Sequence, residues 1–250
     1  MVSVKKSDSV EESVIRAVDE AGLVIEDNSS VFIKVDARDS EGTSPEVLTT
    51  LIKICRVKGA AEVIVGDRLD DGDGHLLTEA ARSAKAEFVD LRSGGTEKVR
   101  SKGAPLLRRG FKLPLAALKA DAVILAPHPI LDDKFGFLGA LASGWDLLSS
   151  YDRFKLNTFG KKVEKTVEVQ SALNVVLTLA DLTKINIAGQ TFTPRTVIAG
   201  KRIEVDTEIH ALLKSFGASL PADPGELTMI AHAKQMKVDA GSTDIGLVRG

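Results

Sequence analysis

Residues 31–67, VFIKVDARDSEGTSPEVLTTLIKICRVKGAAEVIVGD, carry the pattern from which the fold follows. Val31-Phe32-Ile33-Lys34-Val35 is short, apolar and β-branched, the composition of a strand covered on both faces. Ser44-Pro45-Glu46 opens a helix: Ser44 can cap, Pro45 suits the first turn, and Glu46 meets the positive end of the helix dipole. Val47, Leu48, Leu51, Ile52 and Cys55 then fall on one face at helical spacing. Gly59 ends the helix, and Glu62-Val63-Ile64-Val65 starts a second buried strand. A strand–helix–strand unit of this length joins two parallel strands by a right-handed crossover.

Related signals extend from this unit in both directions. Upstream, Ser9-Val10-Glu11-Glu12 reads as a capping box, and Val10, Val14, Ile15 and Val18 form a helical stripe that Gly22 ends. Downstream, the pattern predicts a helix over 76–85 and a third strand over 87–91. A basic section follows (Lys98, Arg100, Lys102, Arg108, Arg109, Lys112), expected to be irregular, then a short helix over 113–119 with Pro114 in its first turn. Ala122-Val123-Ile124-Leu125-Ala126 is the cleanest strand, and Pro127-His128-Pro129 stops it. Residues 135–150 are rich in Gly and Leu and include Trp145. A long helix is predicted over 162–182, short strands over 185–188 and 196–199, helices over 205–216 and 224–234, and an edge strand within 243–248. The sum is an open, mostly parallel α/β sheet of Rossmann-like type flanked by helices, with a helical insertion. It is expected to form one domain over 1–250, with 132–162 as an insertion or lid.

With 250 residues, 44% hydrophobic and 27% charged, the chain has the composition of an ordinary globular protein. A net charge of −2 gives no overall attraction to nucleic acid or membrane. The basic section offers only Phe111 for stacking, which favours a solvated loop, or one covering an acidic ligand, over a nucleic-acid surface. Cys55 is the only cysteine, which excludes an internal disulfide, a zinc ribbon and a self-contained iron–sulfur cluster. Its place on an apolar helix face predicts a packed, inert thiol. The start, MVSVKKSDSVEES, lacks an apolar signal region and no apolar run reaches membrane length, so a cytoplasmic location is expected.

Several fragments, in order and spacing, resemble the domain of unknown function 362 family. Ile33-Lys34-Val35-Asp36, Pro45-Glu46-Val47 and Val65-Gly66-Asp67 are similar to its first strand end, its Pro-Glu-Val helix and its Gly-Asp strand end. Residues 118–124, LKADAVI, resemble its strand entry, and Leu138-Gly139-Ala140-Leu141 its glycine-alanine-leucine turn. Ile198-Ala199-Gly200 and Val205-Asp206 resemble its closing element. The chain departs from the family pattern in three places. His128-Pro129-Ile130-Leu131-Asp132 stands where relatives carry lysine-leucine-lysine-threonine-histidine. Ala142-Ser143 replaces a lysine-asparagine pair, and a glycine-rich stretch is shortened to residues 186–191. Many relatives also carry a ferredoxin-like cluster module, which nothing in this sequence could hold. The resemblance thus implies a scaffold retained with its site altered.

In open parallel sheets, ligands bind beyond the carboxyl ends of the strands. That rule selects Lys34, Asp36, Gly66, Asp67, the acidic loop over 70–74 and His128. Lys34 reads either as an anion contact or as a lysine paired with Asp36 or Asp67. Asp70, Asp71 and Asp73 lack the pattern of a calcium loop and read as a solvated turn. Ser44 and Gly66 offer donors to a phosphate or carboxylate, without a Walker or GxGxxG fingerprint. His128, stiffened by two prolines, suits a general base, although a turn histidine is the plainer reading. Two functional classes follow. One is a protein that binds an anionic small molecule through Lys34, Asp36, Ser44 and Gly66 and has lost catalysis. The other is an enzyme on an anionic substrate, with His128 or Asp67 moving a proton. A docking partner of an iron–sulfur redox protein is a third reading, by analogy with cluster-bearing relatives. A homodimer is open, with 132–162 the first interface to consider. The sequence specifies no cofactor.

Overall fold

In the computed structural model, residues 1–38, 41–69, 74–239 and 245–247 are described. The chain opens with β1 (Ser3–Lys6) and α1 (Val10–Ala21), and continues through β2 (Ser29–Val35), α2 (Pro45–Val57) and β3 (Ala60–Asp67). α3 (His75–Ser83) and β4 (Glu87–Asp90) follow, then β5 (Thr96–Ser101), β6 (Phe111–Pro114), α4 (Leu115–Lys119) and β7 (Ala122–Ala126). A hairpin, β8 (Ile130–Asp132) and β9 (Gly136–Leu138), leads to α5 (Ser150–Thr158), α6 (Lys162–Val169) and β10 (Val175–Leu182). The last part holds a second hairpin, β11 (Ile185–Ile187) and β12 (Gln190–Phe192), then β13 (Thr196–Gly200), α7 (Arg202–Ser215), α8 (Thr228–Met236) and β14 (Ile245–Leu247).

Seven strands form one sheet in the order β1-β13-β10-β7-β2-β3-β4. β10, β7, β2, β3 and β4 are mutually parallel, whereas β13 runs antiparallel to both β10 and β1. The chain leaves β2 toward β3 and β4, then returns to lay β7 on the other flank of β2. That reversal opens a crevice at the carboxyl ends of β2 and β7, the usual place for a ligand in such a sheet. Val31, Ile33 and Val35 face a core shared with α1, α2 and α3, which contains Val47, Leu48, Leu51, Ile52 and Cys55. On the opposite face Phe32 packs with Val123, Leu125, Leu113 and Leu147, and a further cluster gathers Ala180, Leu182 and Ile198 under α7 and α8. Because side chains alternate along a strand, Lys34 shares the face of Phe32.

The local signals act as chemistry requires. Ser9 Oγ accepts from the Glu12 amide at the start of α1, and Gly22 takes a φ of 74° at its end. Ser44 Oγ accepts from the Val47 amide and Pro45 lies in the first turn of α2.

Several expectations are corrected. Residues 162–182 are not one helix: α6 ends at Val169, and Val175–Leu182 is a strand between β7 and β13. β10 is covered on both faces, so its apolar run lacks the alternation that separates strand from helix. The basic section is not irregular, since β5 and β6 pair antiparallel and β14 pairs with β5. The strand expected near the end of the chain therefore joins this small sheet. Pro114 precedes α4 as its cap instead of lying in its first turn. Residues 224–234 divide into a 3-10 turn, Pro224–Glu226, and α8. β1, unmarked in the sequence reading, completes one edge. The segment 132–162 begins in a β-hairpin, and α5 is its helix. Positions 70–73 lie outside the described residues. Among the described residues no helix is long and apolar enough to cross a membrane.

Candidate functional site

Lys34 stands one residue from the end of β2, in register with Gly66 of β3 and Leu125 of β7, and is only 3% exposed. A buried ammonium needs counter-charge and acceptors. Its Nζ lies 2.5 Å from Asp67 Oδ1 and 3.6 Å from Asp146 Oδ2, and it donates to the Val35 carbonyl at 2.6 Å. Burial opposes its charge, but Asp67, Asp146 and Asp36 outweigh it and hold the pKa of Lys34 above the ordinary lysine value. Asp67 is equally buried; its Oδ2 accepts from the Ala37 amide at 2.7 Å. Burial, with Asp146 and Asp36 nearby, pushes Asp67 up to about 7 even though Lys34 pulls it down. A carboxyl with that pKa can hold or release a proton near neutrality.

This pair borders a cavity of about 240 Å³. Asp36, Arg38 and Pro127 line it from the ends of β2 and β7, and Arg68 from the end of β3. The far wall comes from the segment after β9, with Ser143, Trp145, Asp146 and Arg153. Arg38 ion-pairs with Asp36, and Arg68 donates to Ser150 Oγ at 2.9 Å. Trp145 carries Arg153 at 4.7 Å from its ring centre and Lys162 at 3.8 Å, so two cations contact one indole. Asp206, buried on α7, holds the wall turn in place by accepting from the Ala140 and Leu141 amides at 2.7 and 2.9 Å. Gly139 is required there, because a Cβ would stand 2.5 Å from Asp206 Oδ1.

Lys34, Asp36 and Asp67 are thus brought together at one cavity. Ser44, Gly66 and His128 do not line it. Ser44 spends its amide on Asp181 Oδ2 at 2.6 Å and its hydroxyl on capping α2. A Cβ on Gly66 would meet the Phe32 ring at 2.7 Å, so this glycine makes room for the ring. His128 is 5% exposed with no partner at Nδ1, and its charged surroundings are Asp181, Asp36, Arg38 and Glu41. Burial lowers its pKa, with Asp181 and Asp36 acting against that shift, so the ring is neutral at pH 7. Among the described residues, Asp36 is the acid that acts on both His128 and Lys34. Arg38, Arg68, Asp146 and Arg153 were missed by the sequence reading. The first two lie within two residues of a selected strand end, and the other two had no local signal. Among the described residues no three His, Cys, Asp or Glu side chains converge as metal ligands.

Residues 31–203, from β2 into the start of α7, match the family model of the domain of unknown function DUF362. The chain belongs to the DUF362 family. The family span includes Lys34, Asp67 and the wall turn at 139–146. Comparison with curated proteins finds no match. Among solved structures, the lactate racemase apoprotein from Thermoanaerobacterium thermosaccharolyticum superposes with a TM-score of 0.58 at 16% identity, over 81% of this chain and 54% of that one. The DUF362 chain therefore shares the α/β fold of that protein and spans about half its length. Alcohol dehydrogenase TADH from Thermus sp. ATN1 (TM-score 0.27, 17% identity, 47% of this chain and 27% of that one) overlaps over a much smaller part. Glutamyl-tRNA reductase from Methanopyrus kandleri does likewise (0.24, 17%, 49% and 23%). Neither overlap carries an argument.

Proposed function

We propose that this DUF362 chain binds a small anionic molecule in the cavity at the carboxyl ends of β2, β3 and β7. The observation that carries the reading is Lys34: a protonated amine, almost wholly buried, placed at a cavity rather than in a sealed core. Arg38, Arg68 and Arg153 also line the cavity, and a guanidinium suits a carboxylate or phosphate. The volume lies below the roughly 300–1,000 Å³ typical of drug-sized ligands, which favours a molecule of few heavy atoms. The racemase that shares the fold is named for lactate, which makes lactate a reasonable first probe beside phosphate and malate.

Titration calorimetry on the purified protein tests the reading. One of these anions should bind at one site per chain, and Arg38→Ala and Arg68→Ala should each weaken it about fivefold or more by removing a charge-assisted contact. No binding at millimolar concentration, or binding indifferent to both variants, refutes it.

The second reading is acid–base catalysis on the same anion, and the position of Asp67 favours it. A carboxyl poised near 7 beside a fixed ammonium is suited to accept a proton from a bound substrate while Lys34 neutralises the charge that develops. Binding an anion there would raise Asp67 further, so calorimetry near pH 7 in buffers of different ionisation enthalpy should register proton uptake. Asp67→Asn should abolish that uptake.

A further inference from the structure

The far wall of the cavity beside Lys34 is built from the stretch 139–146, which also carries Asp146. Asp146 Oδ2 lies 3.6 Å from Lys34 Nζ, and its Oδ1 lies 3.8 Å from Arg153. Apart from a 3-10 turn over Ala142–Trp145, this stretch has no regular structure of its own. A binding constellation works only when it is held to about 0.5 Å, so such a wall needs support from outside itself.

Two wholly buried side chains supply that support, and neither lines the cavity: Asp206 on α7, and Gln170 just after α6. Asp206 accepts from the Ala140 and Leu141 amides, as described above. Gln170 Nε2 donates to the carbonyls of the same two residues, at 2.5 and 3.1 Å. The turn is thus gripped by its donors and by its acceptors, from two different elements. Gln170 is itself anchored. Its carbonyl accepts from Arg202 Nη1 at 3.3 Å, while Arg202 also donates to Asp239 Oδ1 at 2.9 Å and to the Val238 carbonyl. The wall backbone lies directly against α6 as well, since a Cβ on Gly144 would collide with the Thr166 carbonyl.

We infer that Gln170 and Asp206 are positioning residues of the anion site: by gripping the turn at Ala140 and Leu141 they set Trp145 and Asp146 against Lys34. The inference rests on the reading of that cavity as an anion site. Loss of either grip lowers the fraction of molecules in which the cavity is assembled, and the apparent Kd rises as the inverse of that fraction.

Trp145 is the only tryptophan, so the tryptophan emission of the folded protein reports this wall directly. Gln170→Met removes the two donated hydrogen bonds with little change in volume. It should shift the Trp145 emission to the red and make it easier to quench with acrylamide. Calorimetry with lactate, phosphate and malate should show the anion that binds the native chain weakened about fivefold, as for a wall in place one-fifth of the time. Asp206→Asn, which keeps one acceptor, should fall between the native chain and Asp206→Ala in both readouts. Val18→Ala, a change in the core on the α1 side of the sheet, should lower stability and leave both readouts as they were. If Gln170→Met binds the anion as tightly as the native chain, or moves the Trp145 emission no more than Val18→Ala does, the positioning role is overturned and the anion site stands. If the native chain binds none of the three anions, the anion-site reading fails and this role fails with it.

Discussion

Replacing Lys34 by Met should destabilise the protein in a manner that grows with pH, and the structure sets the size of the effect. Lys34 and Asp67 are 3% and 5% exposed and lie 2.5 Å apart, so solvent screens neither charge. Asp67 titrates near 7 in the folded protein, well above the usual carboxylate range. A carboxyl whose folded pKa is raised is protonated in the fold and ionised when unfolded, so stability falls as pH rises through that interval. In the native protein this fall stops near pH 7, where Asp67 ionises beside Lys34. Without the ammonium the folded pKa moves higher still, and the fall continues. The gap between variant and native protein should therefore widen above pH 7 by about 1.4 kcal/mol per pH unit, reaching about 2 kcal/mol of extra loss at pH 8.5. Urea denaturation at pH 6 and pH 8.5 reads this directly. Adding Asp67→Asn to the variant should leave a gap that no longer changes over this range, because the titrating group is gone. A gap that stays constant or narrows in Lys34→Met as pH rises would refute the coupling of these two side chains.

Three further outcomes are expected. Asp206→Ala strands the Ala140 and Leu141 amides in the core and should cost about 3 kcal/mol in urea denaturation, with Asp206→Asn losing less because one acceptor survives. A loss under 0.5 kcal/mol would mean the wall turn holds itself. Gly66→Ala drives a methyl to 2.7 Å from the Phe32 ring and 3.0 Å from Val89, and should cost about 1–3 kcal/mol, part of which Phe32→Leu in the same chain should restore in a thermal melt. Cys55 is fully buried and its thiol is pushed up to about 12 by that burial, so a disulfide reagent at pH 8 should leave it unmodified in the native protein and react promptly once urea is added. Rapid native labelling would show that α2 opens readily.

The parallel half of the sheet was legible because β2, α2 and β3 each carry concordant local signals: a β-branched run, a cap with proline behind it, and a helical apolar face. β10 was not, since burial on both faces erases the alternation that would identify it; only Val175-Val176 and Thr178 hinted at a strand. β5 and β6 did carry alternation, with Val99, Phe111 and Leu113 inward and Lys98, Arg100 and Lys112 outward. The density of basic residues masked it. The same asymmetry governs the candidate site. Lys34, Asp36 and Asp67 follow from a rule about strand ends that needs only the order of elements. Asp146 and Arg153 arrive from a segment more than 70 residues farther along the chain, and their approach depends on tertiary packing. The fragments that resemble the family held one further clue, since the glycine-alanine-leucine turn and the valine-aspartate element meet when Asp206 binds the amides of Ala140 and Leu141.

Within the main sheet β1 comes first in chain order, and it pairs with the last strand, β13, Ser3 lying opposite Ala199. At typical synthesis rates of about 5–20 residues per second, the interval before β13 emerges is roughly 10–40 s. Through that interval β1, and α1 where it packs on β13, have no template, while β2, β3 and β4 can already associate. The amino-terminal strand must therefore be added after the parallel core has formed. Such a late, long-range closure slows folding. It also leaves the flank of β13 as the place where a neighbouring copy's β1 could insert instead, so exchange of that strand between copies is the misassembly this topology invites.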